Sequence, residues 1–280
     1  MSADLPGPGR REREARAETL VAAGPRGAPC WLSLTARDLE AAEGFYGDVL
    51  GWTFRPGGLG STFSVAELDG VPVAGLGAMA AELAAPVAWT AYFRVDSADE
   101  AAARVRERGG TVGVGPVSYP PRGRAALVAD RDGAGFGIWE GPVLAGWRVG
   151  GGGAPAWLEL LTRDAFEAAL FYGPVLQWAE DDPGSCVASY EDDQVVLRSG
   201  GEAVARLNSG PVEAAAEKSH ERPRWLVHFR VPEVQEAQAR ALARGATEVP
   251  GPAGPGRAQV TLRDPQGALF TLDRPADETA

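Results

Sequence analysis

Few groups in this 280-residue chain can carry acid/base or metal chemistry, since it holds only two histidines and two cysteines. His228 lies in the apolar run Trp225 to Val231, WLVHFRV, and Glu159 lies in a second strand-like run, WLELLT. Alternation along a strand sets Trp157 and Glu159 on one face of the earlier run, and His228 and Arg230 on one face of the later run. If the two faces meet, a buried carboxylate beside the imidazole would hold it poised as a general base near neutral pH. Asp273 adds a second carboxylate at the end of a further strand-like run. Cys30 and Cys186 are too few for a disulfide scaffold or a thiolate metal site and are read as inert thiols. No G-x-x-x-x-G-K-S/T, G-x-S-x-G or paired C-x-x-C occurs, which argues against P-loop hydrolysis, α/β-hydrolase chemistry and zinc ribbons.

The elements that would position these groups come twice. The segment Trp31 to Trp52, WLSLTARDLEAAEGFYGDVLGW, recurs from Trp157 as WLELLTRDAFEAALFYGPVLQW, at an offset of 126. WTAYFRV from Trp89 recurs as WLVHFRV at an offset of 136, and DRDGAGF from Asp130 recurs as DPQGALF at 134. Ordered blocks with a slowly drifting offset mean duplication of a domain of roughly 120 residues. Each copy reads as strand, helix and several strands, and then that unit again. Asp38 stands at an N-cap position, and Leu39, Ala42, Tyr46 and Val49 give the following helix one apolar stripe. Gly51 closes that helix, while Gly173-Pro174 is expected to end its counterpart earlier. The expected organisation is a disordered leader over 1–27, domains over 28–145 and 155–275, a glycine-rich linker over 146–154 and a short tail over 276–280.

The combination of D-L-E-x-A-x-x-F-Y-x-x-x-L-G-W, FRVD before a helix closed by Gly-Gly, and a terminal D-x-D-G resembles the vicinal oxygen chelate superfamily. That superfamily includes glyoxalase I, bleomycin-resistance proteins and extradiol dioxygenases. The resemblance implies an α+β fold in which paired βαβββ modules form a cup-shaped, mostly antiparallel sheet with helices outside. It also implies a ligand or metal in the cup, held by His, Gln or Glu on the first strand of each module and by Glu on the last. Here those positions match Trp31, Thr90 and Gly137 in the first copy and Trp157, Leu226 and Thr271 in the second. Indole, aliphatic and glycine positions cannot supply the donor shell of a divalent ion, so no metal and no other cofactor is expected.

With Leu32, Leu34, Phe93 and Val95 turned toward the helices, alternation leaves Trp31, Ser33, Thr35, Tyr92, Arg94 and Trp139 facing the first cup. This aromatic lining with polar handles suits a flat ligand. The second cup is expected to present Trp157, Glu159, His228, Arg230 and Asp273, with Glu159 and His228 as the catalytic candidates. A net charge of −11 disfavours nucleic acid and anionic bilayers, and no stretch of 18 apolar residues exists. The expected protein is cytoplasmic, a monomer or homodimer, and a metal-independent binder of a small hydrophobic or aromatic molecule. A metal-independent enzyme of secondary metabolism, hydroxylase- or lyase-like, and a ligandless interaction module are the alternatives.

Overall fold

The computed structural model describes residues 20–21, 24–150, 156–178, 182, 184–192, 194–213, 216–250 and 259–274. Most of the expected leader, residues 151–154 of the expected linker and the tail lie outside these residues. Leu20–Val21 (β1) pairs antiparallel with Val143–Leu144 (β10), and Arg26 bridges to Ser185 of the second copy.

The two copies build two eight-stranded, mostly antiparallel sheets, giving an α+β architecture. The first sheet runs β3 (Thr53–Pro56), β4 (Phe63–Leu68), β5 (Val71–Gly77), β2 (Pro29–Thr35), β6 (Ala88–Arg94), β9 (Gly135–Glu140), β8 (Gly123–Ala129), β7 (Thr111–Tyr119). The second repeats that order as β12 (Val187–Glu191), β13 (Gln194–Ser199), β14 (Glu202–Ser209), β11 (Ala156–Thr162), β15 (Arg224–Arg230), β18 (Leu269–Asp273), β17 (Gln259–Arg263), β16 (Thr247–Glu248). The two modules of a copy join antiparallel at their first strands, β2 with β6 and β11 with β15. Modules therefore pair within a copy, and each copy has its own cup.

Helices α1 (Leu39–Leu50), α2 (Ala98–Glu107), α3 (Ala165–Leu176) and α4 (Val234–Ala243) lie on the faces away from the cups. The side chains of Asp38, Ser97 and Asp164 accept from the backbone N–H of Ala41, Glu100 and Glu167, satisfying donors that a helix start leaves open. Gly51 closes α1 in the left-handed conformation, with φ of 72°. The expectation that Gly173-Pro174 stops the third helix is corrected, because α3 continues through Pro174 to Leu176 and Gln177 takes the left-handed position with φ of 59°. Val175 and Leu176 are fully buried, and their burial outweighs the hydrogen bond that proline removes.

The helices of one copy pack on those of the other, so both copies share one core. Arg240 of α4 donates to Asp48 O of α1 at 3.0 Å, and Arg104 of α2 donates to Val175 O of α3 at 3.1 Å. At the centre, Trp89 donates to the Tyr46 hydroxyl (2.8 Å), which donates to Asp264 of the other copy (2.9 Å). The mirror chain runs from Trp225 to Tyr172 (2.9 Å) and on to Asp130 (3.0 Å). Burial, with the neighbouring carboxylate, pushes both phenols well above their ordinary range, so each stays a donor. Replacing Tyr46 by Phe strands a buried indole N–H and one carboxylate oxygen. We expect Tyr46→Phe to lower unfolding free energy by about 1–3 kcal/mol in urea titration. An unchanged midpoint would contradict this role.

Candidate functional site

The cup-facing surfaces of the two sheets differ in accessibility. In the first copy burial alternates, with Trp31 and Ser33 on β2 and Thr90, Tyr92 and Arg94 on β6 half-buried between fully buried neighbours. Trp31 stands opposite Tyr92, and Tyr92 and Arg94 lie beside Gly137 and Trp139 of β9. Glycines pave this floor. A Cβ on Gly137 would lie 2.2 Å from the Tyr92 ring, and one on Gly75 would lie 2.5 Å from Phe63 and 3.1 Å from the Trp31 indole nitrogen. Bare backbone thus lets large rings rest against the sheet. Trp147 folds back so that its ring centroid is 5.6 Å from that of Trp31, its indole anchored on Val73 O at 3.0 Å. The Trp139 indole donates to Pro142 O at 3.0 Å.

Polar groups are sparse in this cup. Burial, with Tyr119 and Cys30 nearby, raises the Tyr92 phenol, so it remains a neutral donor. Arg94 pairs with Asp96 at 2.7 Å. Thr35 is buried. Burial raises the Cys30 thiol and pushes Cys186 up to about 11, so both are protonated and unreactive at neutral pH.

In the second copy every residue of β11 is buried, as are Trp225 to Phe229 of β15. Glu159 and His228, paired in the sequence reading by parity alone, do meet, with His228 Nε2 3.0 Å from Glu159 Oε2. The second oxygen of Glu159 accepts from the Asn208 amide. The imidazole lies against the Trp157 indole, centroids 4.1 Å apart and planes tilted by 34°. Trp157 Nε1 donates to Asp273 Oδ2 at 2.9 Å, and the Arg206 guanidinium sits 5.6 Å from the Trp157 ring centroid. His228 Nδ1 is 4.0 Å from Asp273 Oδ2 and makes no hydrogen bond. Arg230 stands beside Asp273 across the β15–β18 pair.

Desolvation would raise the Glu159 carboxyl, but His228, Asn208 and Arg206 together hold it below its ordinary value of 4.5. The result is a closed network. His228 has no exposed surface, and Trp157 covers it. Sequence reasoning missed Asn208 and Arg206, whose only signal is their alternate spacing in ARLNS, and it missed Phe63 and Trp147, the latter placed in the linker.

The metal positions implied by the fold do not fit a divalent ion. Tyr92 fills the space at Gly137, the Trp157 indole is a donor engaged by Asp273, and Leu226 packs with Leu161 and Val212. The Thr271 hydroxyl is paired with Thr261 at 2.9 Å. Among the described residues no group of three or more His, Cys, Asp or Glu is placed to hold a metal.

The doubled, cup-shaped sheet defines a class that sequence comparison also identifies. Residues 30–138 match the Glyoxalase/Bleomycin resistance protein/Dioxygenase superfamily, and residues 157–272 match the Glyoxalase-like domain. The chain belongs to this superfamily, as a tandem two-domain member. It is 31% identical over 263 residues, 90% of this chain and 97% of the relative, to CFP32 of Mycobacterium bovis, which carries the name glyoxylase. It is 32% identical over 269 residues, 88% of this chain and 92% of the relative, to the anthracycline biosynthesis protein DnrV of Streptomyces peucetius. The Mn(II)-bound glyoxalase of Novosphingobium aromaticivorans shares the fold, with a TM-score of 0.52 at 18% identity over 89% of this chain and 82% of that one.

Because the Glu159 carboxyl is depressed on folding, its contribution to stability is present above pH 4.5 and is lost as pH falls through the lower folded value. Glu159→Gln is expected to cost about 1–3 kcal/mol at pH 7 and to flatten the loss of stability below pH 4.5. Equal acid sensitivity of variant and wild type in thermal melts at pH 3 to 7 would count against it.

Proposed function

We propose that the chain is a metal-independent small-molecule-binding protein of the glyoxalase/bleomycin-resistance type, whose first cup receives a flat hydrophobic or aromatic molecule. The observation that carries this reading is the glycine-floored face on which Trp31, Tyr92 and Trp139 stay half-buried rather than sealed. Such a surface gains apolar burial when a planar ligand lies on it, and Ser33 and the Tyr92 hydroxyl orient polar substituents. The likeness to a protein named for anthracycline biosynthesis supports a place in secondary metabolism. The donor chemistry at the superfamily's metal positions supports binding without an ion.

An enzyme using Glu159 and His228 is the second reading, favoured by their 3.0 Å contact. It requires Trp157 to swing off the imidazole, and Trp157 is held by Asp273. Turnover surviving chelation and lost in His228→Gln, but kept in Trp31→Ala, would favour it. A chain that works as a single polypeptide fits the shared helix layer, which occupies between the two copies the surface a partner subunit would need. Nucleic acid is disfavoured by the net charge of −11, and among the described residues no helix is long and apolar enough to cross a membrane.

After dialysis against chelator, 2-naphthol or flavone is expected to quench tryptophan fluorescence with a dissociation constant in the range of about 1–100 μM. Trp31→Ala should weaken this by at least ~10-fold, because aromatic anchors dominate such contacts. A broad aromatic panel giving no quenching, or binding restored only by added metal, would overturn the proposal.

A further inference from the structure

Two arginines, Arg224 and Arg263, stand at one end of the second cup, in a chain whose net charge is −11. Arg224 begins β15 opposite Leu161, on the same face as Glu159 and His228. A guanidinium carries five donors. Among the described residues, Arg224 makes one hydrogen bond, from Nη1 to Arg222 O at 2.9 Å, and forms no salt bridge. Its Nε is buried without a partner.

The field of Glu159 reaches Arg224, yet both Glu159 oxygens are already taken by Asn208 and His228. Burial lowers Arg224 to about 10, with Arg263 adding like-charge repulsion, so the group stays charged at neutral pH. Arg263 reaches His220 Nδ1 through Nη2 at 3.3 Å. Burial depresses His220, and the charges of Arg263, Arg224 and Lys218 depress it further against the opposing pull of Glu221. The same cations thus act on one small volume. Beside it lies the apolar cluster of Leu161, Val212 and Leu226, with Leu269 packed on it.

A buried guanidinium with an unanswered Nε, next to a second arginine and an aliphatic patch, lacks a planar acceptor. We propose that Arg224 and Arg263 form an anion subsite of the second cup for a small organic carboxylate, its two oxygens accepting from Arg224 and its carbon skeleton lying toward the leucine cluster. This subsite does not depend on aromatic binding in the first cup.

Isothermal titration of the full chain with sodium benzoate, benzamide and inorganic phosphate at fixed chloride tests it. Benzoate is expected to bind once per chain and at least ~10-fold tighter than the neutral amide, the margin that charge-assisted bidentate bonds supply. Arg224→Gln should weaken benzoate by a similar factor while leaving 2-naphthol binding at the first cup and the unfolding midpoint in place. Arg224→Lys, which keeps the charge but not the fork, should fall between. Should Arg224→Gln fail to fold, Arg263→Gln is expected to show the same selective loss. Absent benzoate binding, equal affinity for benzamide, phosphate binding tighter than benzoate, or an unaffected arginine variant would each overturn the assignment.

Discussion

The structure depends on two buried hydrogen-bonded chains in which a tryptophan, a tyrosine and the aspartate of the opposite copy are joined. Tyr46 reaches Asp264 and Tyr172 reaches Asp130, so each copy closes the other's helix layer. Asp130 and Asp264 also accept from backbone N–H groups in their own turns, Ala134 for the first and Ala268 for the second. Each carboxylate therefore shapes a turn and receives a phenol at once. Burial raises Asp130, while its backbone partners and Tyr172 oppose that rise, a balance that only a fully bonded carboxylate sustains in a core. Aromatic edge-to-face packing around these chains, such as Tyr46 on Trp89 at 5.2 Å, fills the rest of the layer.

With the helix faces committed to each other, function is left to the opposite faces of the sheets, and duplication has let these diverge. Where the first copy has Ser33, Thr90 and Gly137, the second has Glu159, Leu226 and Thr271. The first set lets the Tyr92 ring rest on bare backbone at Gly137 and keeps Trp31, Tyr92 and Trp139 half-buried. The second fills its centre with a bonded carboxylate, imidazole and indole, and leaves Arg224 Nε without a partner at one end. Burial of this charged and polar network is offset by the two partners of Glu159 and the bond of Trp157 to Asp273, while His228 Nδ1 and Asp273 Oδ1 are left without a hydrogen bond.

Much of this was legible in the residues. The repeated WLxLxxRD and FRV blocks located both copies, and alternation in WLSLT and WTAYFRV singled out Trp31, Ser33, Thr90, Tyr92 and Arg94, which are half-buried between buried neighbours, whereas Thr35 is buried. Parity also brought Glu159 to His228, because β11 and β15 are neighbours. What parity could not convey was closure, since the burial of His228 comes from Trp157 stacking on it. Arg206 and Asn208 required knowing that β14 runs beside β11. The Tyr46 to Asp264 bond spans 218 residues, and nothing local in the F-Y pair indicates it. Pro174 misled because local proline chemistry argued for a helix end, whereas burial of Val175 and Leu176 decided otherwise.

The proposed aromatic receptor is the first cup, and not the second, working without an ion. Nitrogen-15 spectra of the eight tryptophan indoles, recorded on chelator-treated protein during addition of 2-naphthol, read it residue by residue. Shifts are expected at Trp31, Trp139 and Trp147, with Trp52, Trp89, Trp157, Trp178 and Trp225 unmoved. Shifts centred on Trp157, or none until a divalent metal is supplied, would contradict it.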